Sequence, residues 1–214
     1  MASFVLRLST DILQAGEVLE LAACKRAIYV VQGGVVVRSG GVAASLDPNG
    51  ACCMPGAATV TAGRAGARVL HWELVQQGAA AAGSAAGSLT LAAPLDLPAK
   101  EVLMRCDRVE FPPGGEALTH VHQGPGIRCL VAGAIRIDSL GNSHHYGVGQ
   151  AWFEAGPEPV YAAASATEAT AFVRVMILPR TCHGKSSIRY VRPEDADKPK
   201  SQKYQVFADE FIDV

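Results

Sequence analysis

The sequence predicts an all-β chain built from two similar barrels in tandem. Three observations carry this. Residues 4–75 consist of short β-rich runs separated by glycine turns. No stretch there has helical periodicity. The second half then repeats the order of the first at an offset of about 100 residues, which implies two similar domains.

Taken in order, Val18–Leu21, Ala27–Gly41 and Arg68–Leu74 are the first candidate strands. Gly33-Gly34, Gly40-Gly41 and Pro48-Asn49-Gly50 supply the turns. Residues 1–76 form the first domain. The segment 77–94 is rich in Ala, Gly and Ser, a flexible linker composition whose glycines would end any helical turn. Residues 95–180 form the second domain. Gly16-Glu17-Val18-Leu19 matches Gly115-Glu116-Ala117-Leu118, and the run Ala27–Gly33 matches Ile127–Gly133. Asn49-Gly50 and Pro55-Gly56 match Val148-Gly149 and Ala155-Gly156, and Arg68–Leu74 matches Phe172–Leu178. Residues 181–214 form a charged extension. In it, 186–191 is a candidate strand and Pro193-Glu194-Asp195 has the composition of a single helical turn. The run 198–203 reads as a solvated loop, and Tyr204–Ile212 is apolar enough to dock on a barrel, the first being the expected one.

The most specific stretch is Phe111–Gly133. It opens on Pro112-Pro113-Gly114-Gly115, which excludes a helix. It then places His120 and His122 two residues apart. On a strand, i and i+2 face the same side, so two neutral imidazoles can grip one metal ion. On a helix they would diverge.

Gly114, Gly115, His120, His122 and Gly133 resemble the first signature of the cupins, small antiparallel barrels of jelly-roll type. The resemblance implies two tandem jelly-roll barrels, a bicupin, often dimeric. The signature's glutamate falls on Gly126. The second signature, Pro-x-Gly-x-x-His, falls on Glu154–Pro159, so its histidine reads as Pro159. Two of the four usual ligands are therefore replaced. In the first half Glu20 and Ala22 stand where the histidines stand in the second, so the first barrel is expected to be structural, with an aliphatic interior around Ile28 and Val30.

The barrel-facing line through Gly126 continues to Arg128 and Leu130. Arg128 would enter the barrel near the histidines, as a guanidinium suited to carboxylates or phosphates. A slip of one residue would put Ile127 inside in its place. Glu154 is a candidate third metal ligand, or else a salt-bridged rim residue. Trp152 and Tyr161 are candidate pocket aromatics. His144, His145, His71 and His183 are weaker candidates, the last two reading most simply as a strand and a loop histidine.

Three functional readings follow, the third being a structural or partner-binding protein whose histidines are vestigial. In the first, a divalent metal (Fe, Zn, Ni or Mn) on His120, His122 and Glu154 serves an enzyme of dioxygenase, lyase or isomerase type. Its substrate is a small organic anion held by Arg128. In the second, the barrel binds a small anion without catalysis, and the metal site is vestigial.

Composition excludes other classes. With 49% hydrophobic and 18% charged residues the chain is globular, and a net charge of −1 gives no reason to expect nucleic acid. The start lacks a signal peptide's basic and apolar regions, and no apolar run suits a membrane span; a cytoplasmic protein is expected. Six cysteines without C-x-x-C spacing read as reduced core thiols.

Overall fold

The computed structural model describes residues 3–78, 88–97 and 101–214. The chain divides into two compact units, residues 1–98 and 99–214. Among the described residues every element is a strand except two 3-10 turns, Arg180–Cys182 and Pro193–Asp195, so the all-β reading holds. None of the described helices is long and apolar enough to cross a membrane.

The first unit is one five-stranded antiparallel sheet in the order β3-β2-β4-β1-β5. Its strands are β1 Ser3–Leu13, β2 Val18–Ser39, β3 Val42–Leu46, β4 Ala51–Gln76 and β5 Ser88–Asp96. Strand β2 pairs with β4 twice: Ile28 lies opposite both Cys52 and His71. The two arms of β4 flank it, and the sheet rolls around an apolar cluster that includes Ile28, Val30, Val37, Val60 and Val69. The segment read as linker is thus partly strand: 88–96 pairs with β1 because its backbone continues that sheet's ladder. Residues 79–87 of that segment lie outside the described residues.

The expected aliphatic interior needs correcting in one respect. On the same strand faces as Ile28 and Val69, Arg26 pairs with Glu73 (2.9 Å) and His71 with Asp11 (2.9 Å), and all four side chains are buried. Buried charges persist only when paired and hydrogen-bonded, and here each has its partner. Burial pushes the Cys24 thiol up to about 12, against the Arg26 charge that lowers it, and pushes Cys52 up to about 11. The thiolate is the reactive form. Both cysteines should therefore resist iodoacetamide at pH 8 in the native protein and react once urea unfolds it. Rapid native labelling of either, read by peptide mass spectrometry, would contradict this.

The second unit holds two five-stranded antiparallel sheets. One has the order β10-β9-β12-β7-β14, built from β7 Glu116–His122, β9 Ala134–Ser139, β10 Asn142–Gly147, β12 Val160–Ala164 and β14 Ile188–Tyr190. The other has the order β11-β8-β13-β6-β15, built from β6 Glu101–Phe111, β8 Gly126–Ala132, β11 Ala151–Glu154, β13 Thr170–Leu178 and β15 Lys203–Asp213. An apolar cluster containing Phe111, Leu130, Ile137, Trp152, Val160 and Phe172 draws on strands of both sheets. The extension completes this unit and not the first: β14 pairs with β7, and β15 runs along β6 from Lys203 to Asp213. Arg105 of β6 fastens β15 through Asp209 (2.7 Å), a contact that composition alone does not reveal.

The two units repeat each other bond for bond at the turn facing Val30 and Leu130. Val30 N–H donates to Gly50 O (2.9 Å) while Val30 O accepts Asn49 N–H (2.9 Å); Leu130 N–H donates to Gln150 O (3.0 Å) while Leu130 O accepts Gly149 N–H (2.8 Å). The turn match is thus Asn49-Gly50 with Gly149-Gln150, one residue later than the sequence suggests. The histidine match also shifts. Cys24 lies opposite Gly56, and His122 N–H donates to Gly156 O (2.7 Å). Ala22 and Cys24, not Glu20 and Ala22, therefore hold the histidine places. Five residues lie between His122 and Arg128 but three between Cys24 and Ile28, so the second unit has an insertion there.

Candidate functional site

Strand β7 brings His120 and His122 to one face, both buried. The other sheet supplies a row of side chains across adjacent strands: Trp152 of β11 lies opposite Arg128 of β8, Arg128 opposite Arg174 of β13, and Arg174 opposite Asp107 of β6. His120, His122, Arg128, Trp152, Glu154 and Arg174 are among the residues around one small cavity of about 20 Å³. That is room for about one water.

Arg128 points inward and is fully buried, the parity expected from the barrel-facing line through Gly126. Two guanidiniums opposite each other in a sheet repel. Each is neutralised by its own acid. Arg174 donates Nε to Asp107 Oδ1 (2.6 Å) and Nη2 to Oδ2 (3.1 Å), a bidentate pair. Burial disfavours the Arg174 charge, but Asp107 outweighs it and raises its pKa. Arg128 donates Nη1 to Gly126 O (2.6 Å), and its Nη2 stands 2.8 Å from Glu154 Oε2. That second contact is ionic only, since neither Nη2 nor Oε2 completes a well-aligned hydrogen bond. Burial pulls Arg128 down to about 10, against the Glu154 charge.

Glu154 ends β11 and is held by three neighbours. Its Oε1 accepts Trp152 Nε1–H (2.8 Å), and its Oε2 meets Arg128 and His122 Nε2 (3.3 Å). Burial raises the carboxyl pKa, but Arg128 and then His122 outweigh it and hold Glu154 well below the usual carboxylate range. Burial pushes His122 down to about 3, so the ring is neutral at pH 7 and its 3.3 Å approach to Glu154 Oε2 is a polar contact, neither an ion pair nor a completed hydrogen bond. Burial lowers His120 as well. His120 Nδ1 lies 2.7 Å from Leu118 O, which can only accept. The Nδ1 therefore carries the proton and Nε2 presents its lone pair to the cavity. His120 Nε2 and His122 Nε2 are 3.2 Å apart, so His122 Nε2–H is the donor of that contact.

This geometry tests the expectation of a metal. Two nitrogens 3.2 Å apart suit one ion at bond lengths of about 2.1 Å. A third donor is lacking. Glu154 Oε2 is already faced by the Arg128 cation, and no three His, Cys, Asp or Glu side chains among the described residues are grouped to hold a metal. The usual glutamate place, Gly126, is closed, since a Cβ there would meet Val175 O at 2.5 Å. Pro159 is exposed and offers only its carbonyl, to Ser139 Oγ (2.9 Å). The residues present do not fit a resident ion with three or more protein ligands.

The other candidates separate clearly. Trp152 is in the site, stacked on Tyr146 (4.8 Å) and edge-on to Phe172 (5.3 Å). Tyr161 is not around the cavity; its hydroxyl donates to Glu116 (2.5 Å) and its ring faces Arg136. His144 and His145 are exposed on β10, and His183 stacks on Phe211. Sequence reasoning misses Asp107 and Arg174. Part of the signal is present: Arg174 is the lone charge of an apolar strand, while Asp107 shares its parity in β6 with Glu101 and Arg105. In the first unit the places of His122, Arg128, Trp152 and Glu154 hold Cys24, Ile28, Cys52 and Met54, so this constellation belongs to the second unit alone.

No protein-family model matches the sequence, and no curated protein does. Solved structures do match in fold. Oxalate decarboxylase of Bacillus subtilis, as a single-residue variant, superposes with TM-score 0.66 at 12% identity, covering 90% of this chain and 73% of that one. AerE from Microcystis aeruginosa gives 0.58 at 12%, covering 82% and 88%. Salicylate 1,2-dioxygenase from Pseudaminobacter salicylatoxidans gives 0.57 at 12%, covering 86% and 74%. At such identities the likeness concerns architecture. Together with the rolled sheet of the first unit and the paired sheets of the second, it places this chain among the cupin-fold proteins.

Proposed function

We propose that the second unit binds a small organic carboxylate, with Arg128 as its anchor. The observation that carries this is a fully buried guanidinium whose Nη2 has an ionic contact but no completed hydrogen bond, placed beside two neutral imidazoles. A ligand carboxylate can meet a guanidinium with two parallel hydrogen bonds, which Glu154 does not achieve from its strand. His120 and His122 then supply polar contacts without adding charge. Two of the structural neighbours are named for small carboxylates, oxalate and salicylate, which agrees with the ligand class. The barrel acts as a binding module under this reading.

A metal-assisted enzyme acting on the same anions is the second reading. It is favoured by the 3.2 Å spacing of the two imidazole nitrogens. Elemental analysis of purified protein separates the two: metal near one equivalent per chain favours the enzyme, and trace metal favours the binding module.

The binding test is calorimetry with oxalate, salicylate and acetate. Arg128→Met should weaken binding by about 2–5 kcal/mol, the range for losing one partner of a desolvated charge pair. Carboxylate affinity unchanged in that variant would remove the basis for an anion site.

A further inference from the structure

We propose that Glu154 is a built-in occupant of the anion site, which an incoming carboxylate must displace from Arg128. The inference rests on the carboxylate-binding reading above and adds how the site is kept closed.

Four observations lead to it. First, the cavity beside Arg128 is about 20 Å³, too small for a carboxylate while the Glu154 side chain is present. Second, Glu154 is the outermost charged group of the cluster: its side chain is 15% exposed, against 1% for Arg128 and 5% and 3% for Arg174 and Asp107. Third, its hold on Arg128 is incomplete, a 2.8 Å contact without an aligned hydrogen bond. Fourth, exchange conserves charge. One carboxylate replaces another on a guanidinium that has already been desolvated, so no buried charge is left unpaired at the end.

The movement needed is local. Gly156, at φ +115°, packs so closely on Gly124 that an added Cβ would lie 2.8 Å from its backbone. His122 N–H also holds Gly156 O. The turn after Glu154 is pinned, so the carboxylate leaves by side-chain rotation toward solvent. That rotation breaks its bond to Trp152 Nε1–H, which gives the displacement a spectroscopic reporter. The chain has two tryptophans, Trp72 and Trp152, and Trp72 belongs to the first unit.

The test pairs calorimetry with indole N–H resonances of the 15N-labelled full chain, assigned with Trp152→Phe. Titrating acetate or oxalate into the wild type should move the Trp152 indole signal and leave Trp72 in place. Glu154→Gln keeps an acceptor for Trp152 and the volume of the side chain but removes the competing charge. It should bind either anion about 10-fold or more tightly than the wild type, and combining it with Arg128→Met should abolish that gain. Anion binding that leaves the Trp152 resonance unmoved would overturn the displacement, as would unchanged affinity in Glu154→Gln, while the anion site itself would stand. Binding indifferent to Arg128→Met would instead sink the underlying reading. Should Glu154→Gln fold poorly, the wild-type indole titration decides by itself.

Discussion

Replacing Asp107 with Leu is expected to lower the folding stability of the second unit by about 3–5 kcal/mol, the range for breaking a buried ion pair from one side. Asp107 and Arg174 are both nearly fully buried and joined by two hydrogen bonds. Removing the acid leaves Arg174 without its partner beside Arg128, whose own acid is Glu154. Neither guanidinium can shed its proton at neutral pH, so the repulsion cannot be relieved by titration. Urea denaturation measures the loss. The double variant Asp107→Leu, Arg174→Met should recover most of it, because an apolar pair of similar volume replaces the ionic one. A loss below about 1 kcal/mol in the single variant would mean that water reaches Arg174 and screens it.

The Asp107–Arg174 pair also shows what can be read from the sequence and what cannot. Alternation along β8 puts Arg128 on the side of Gly126, the place that the cupin resemblance makes barrel-facing, although a slip of one residue would have put Ile127 there. The same rule does not find Arg174 or Asp107, because β13 is buried on both faces and Glu101 and Arg105 share the parity of Asp107 in β6. A charge in such a strand resembles a surface position until its partner strand is known. Pairing between β6 and β13 spans most of the second unit, and no local signal encodes it. Glu154 is a candidate from the sequence, but its partner decides its role: a carboxylate facing Arg128 differs in use from one facing only imidazoles. The first unit's register goes astray at Glu20 because the insertion between His122 and Arg128 shifts the repeat within one strand pair. Likewise, the apolar residues of Tyr204–Ile212 announce that the extension docks, while the Arg105–Asp209 contact that names its sheet joins residues far apart in the chain.

Gly126→Glu restores the residue that the cupin signature has at this place, and it is expected to damage the protein rather than complete a metal site. The glycine is there because strand β13 leaves it no side-chain volume. A Cβ would lie 2.5 Å from Val175 O, 2.8 Å from Met176 Cγ and 3.0 Å from Met176 Cα. The Met176 side chain can rotate away, but the carbonyl belongs to a ladder that pairs Gly126 with Met176 and Arg128 with Arg174. Shifting it would disturb the charged row described above. Overpacking of a rigid core costs about 1–3 kcal/mol, and with backbone as the obstacle the upper end is expected, near 3 kcal/mol by urea denaturation. Zinc or iron titrated into this variant should show no more binding than to the wild type. Pro159→His makes the comparison. That residue is exposed, and its contact to Ser139 uses the main-chain carbonyl, which any residue supplies. Its effect on stability should stay within about 0.5 kcal/mol, as for other surface changes. A Gly126→Glu protein as stable as the wild type and carrying one equivalent of metal would show that β13 can move. The site would then be a metal centre one residue short, and the reading of Glu154 as the partner of Arg128 would have to yield to one in which it is a ligand.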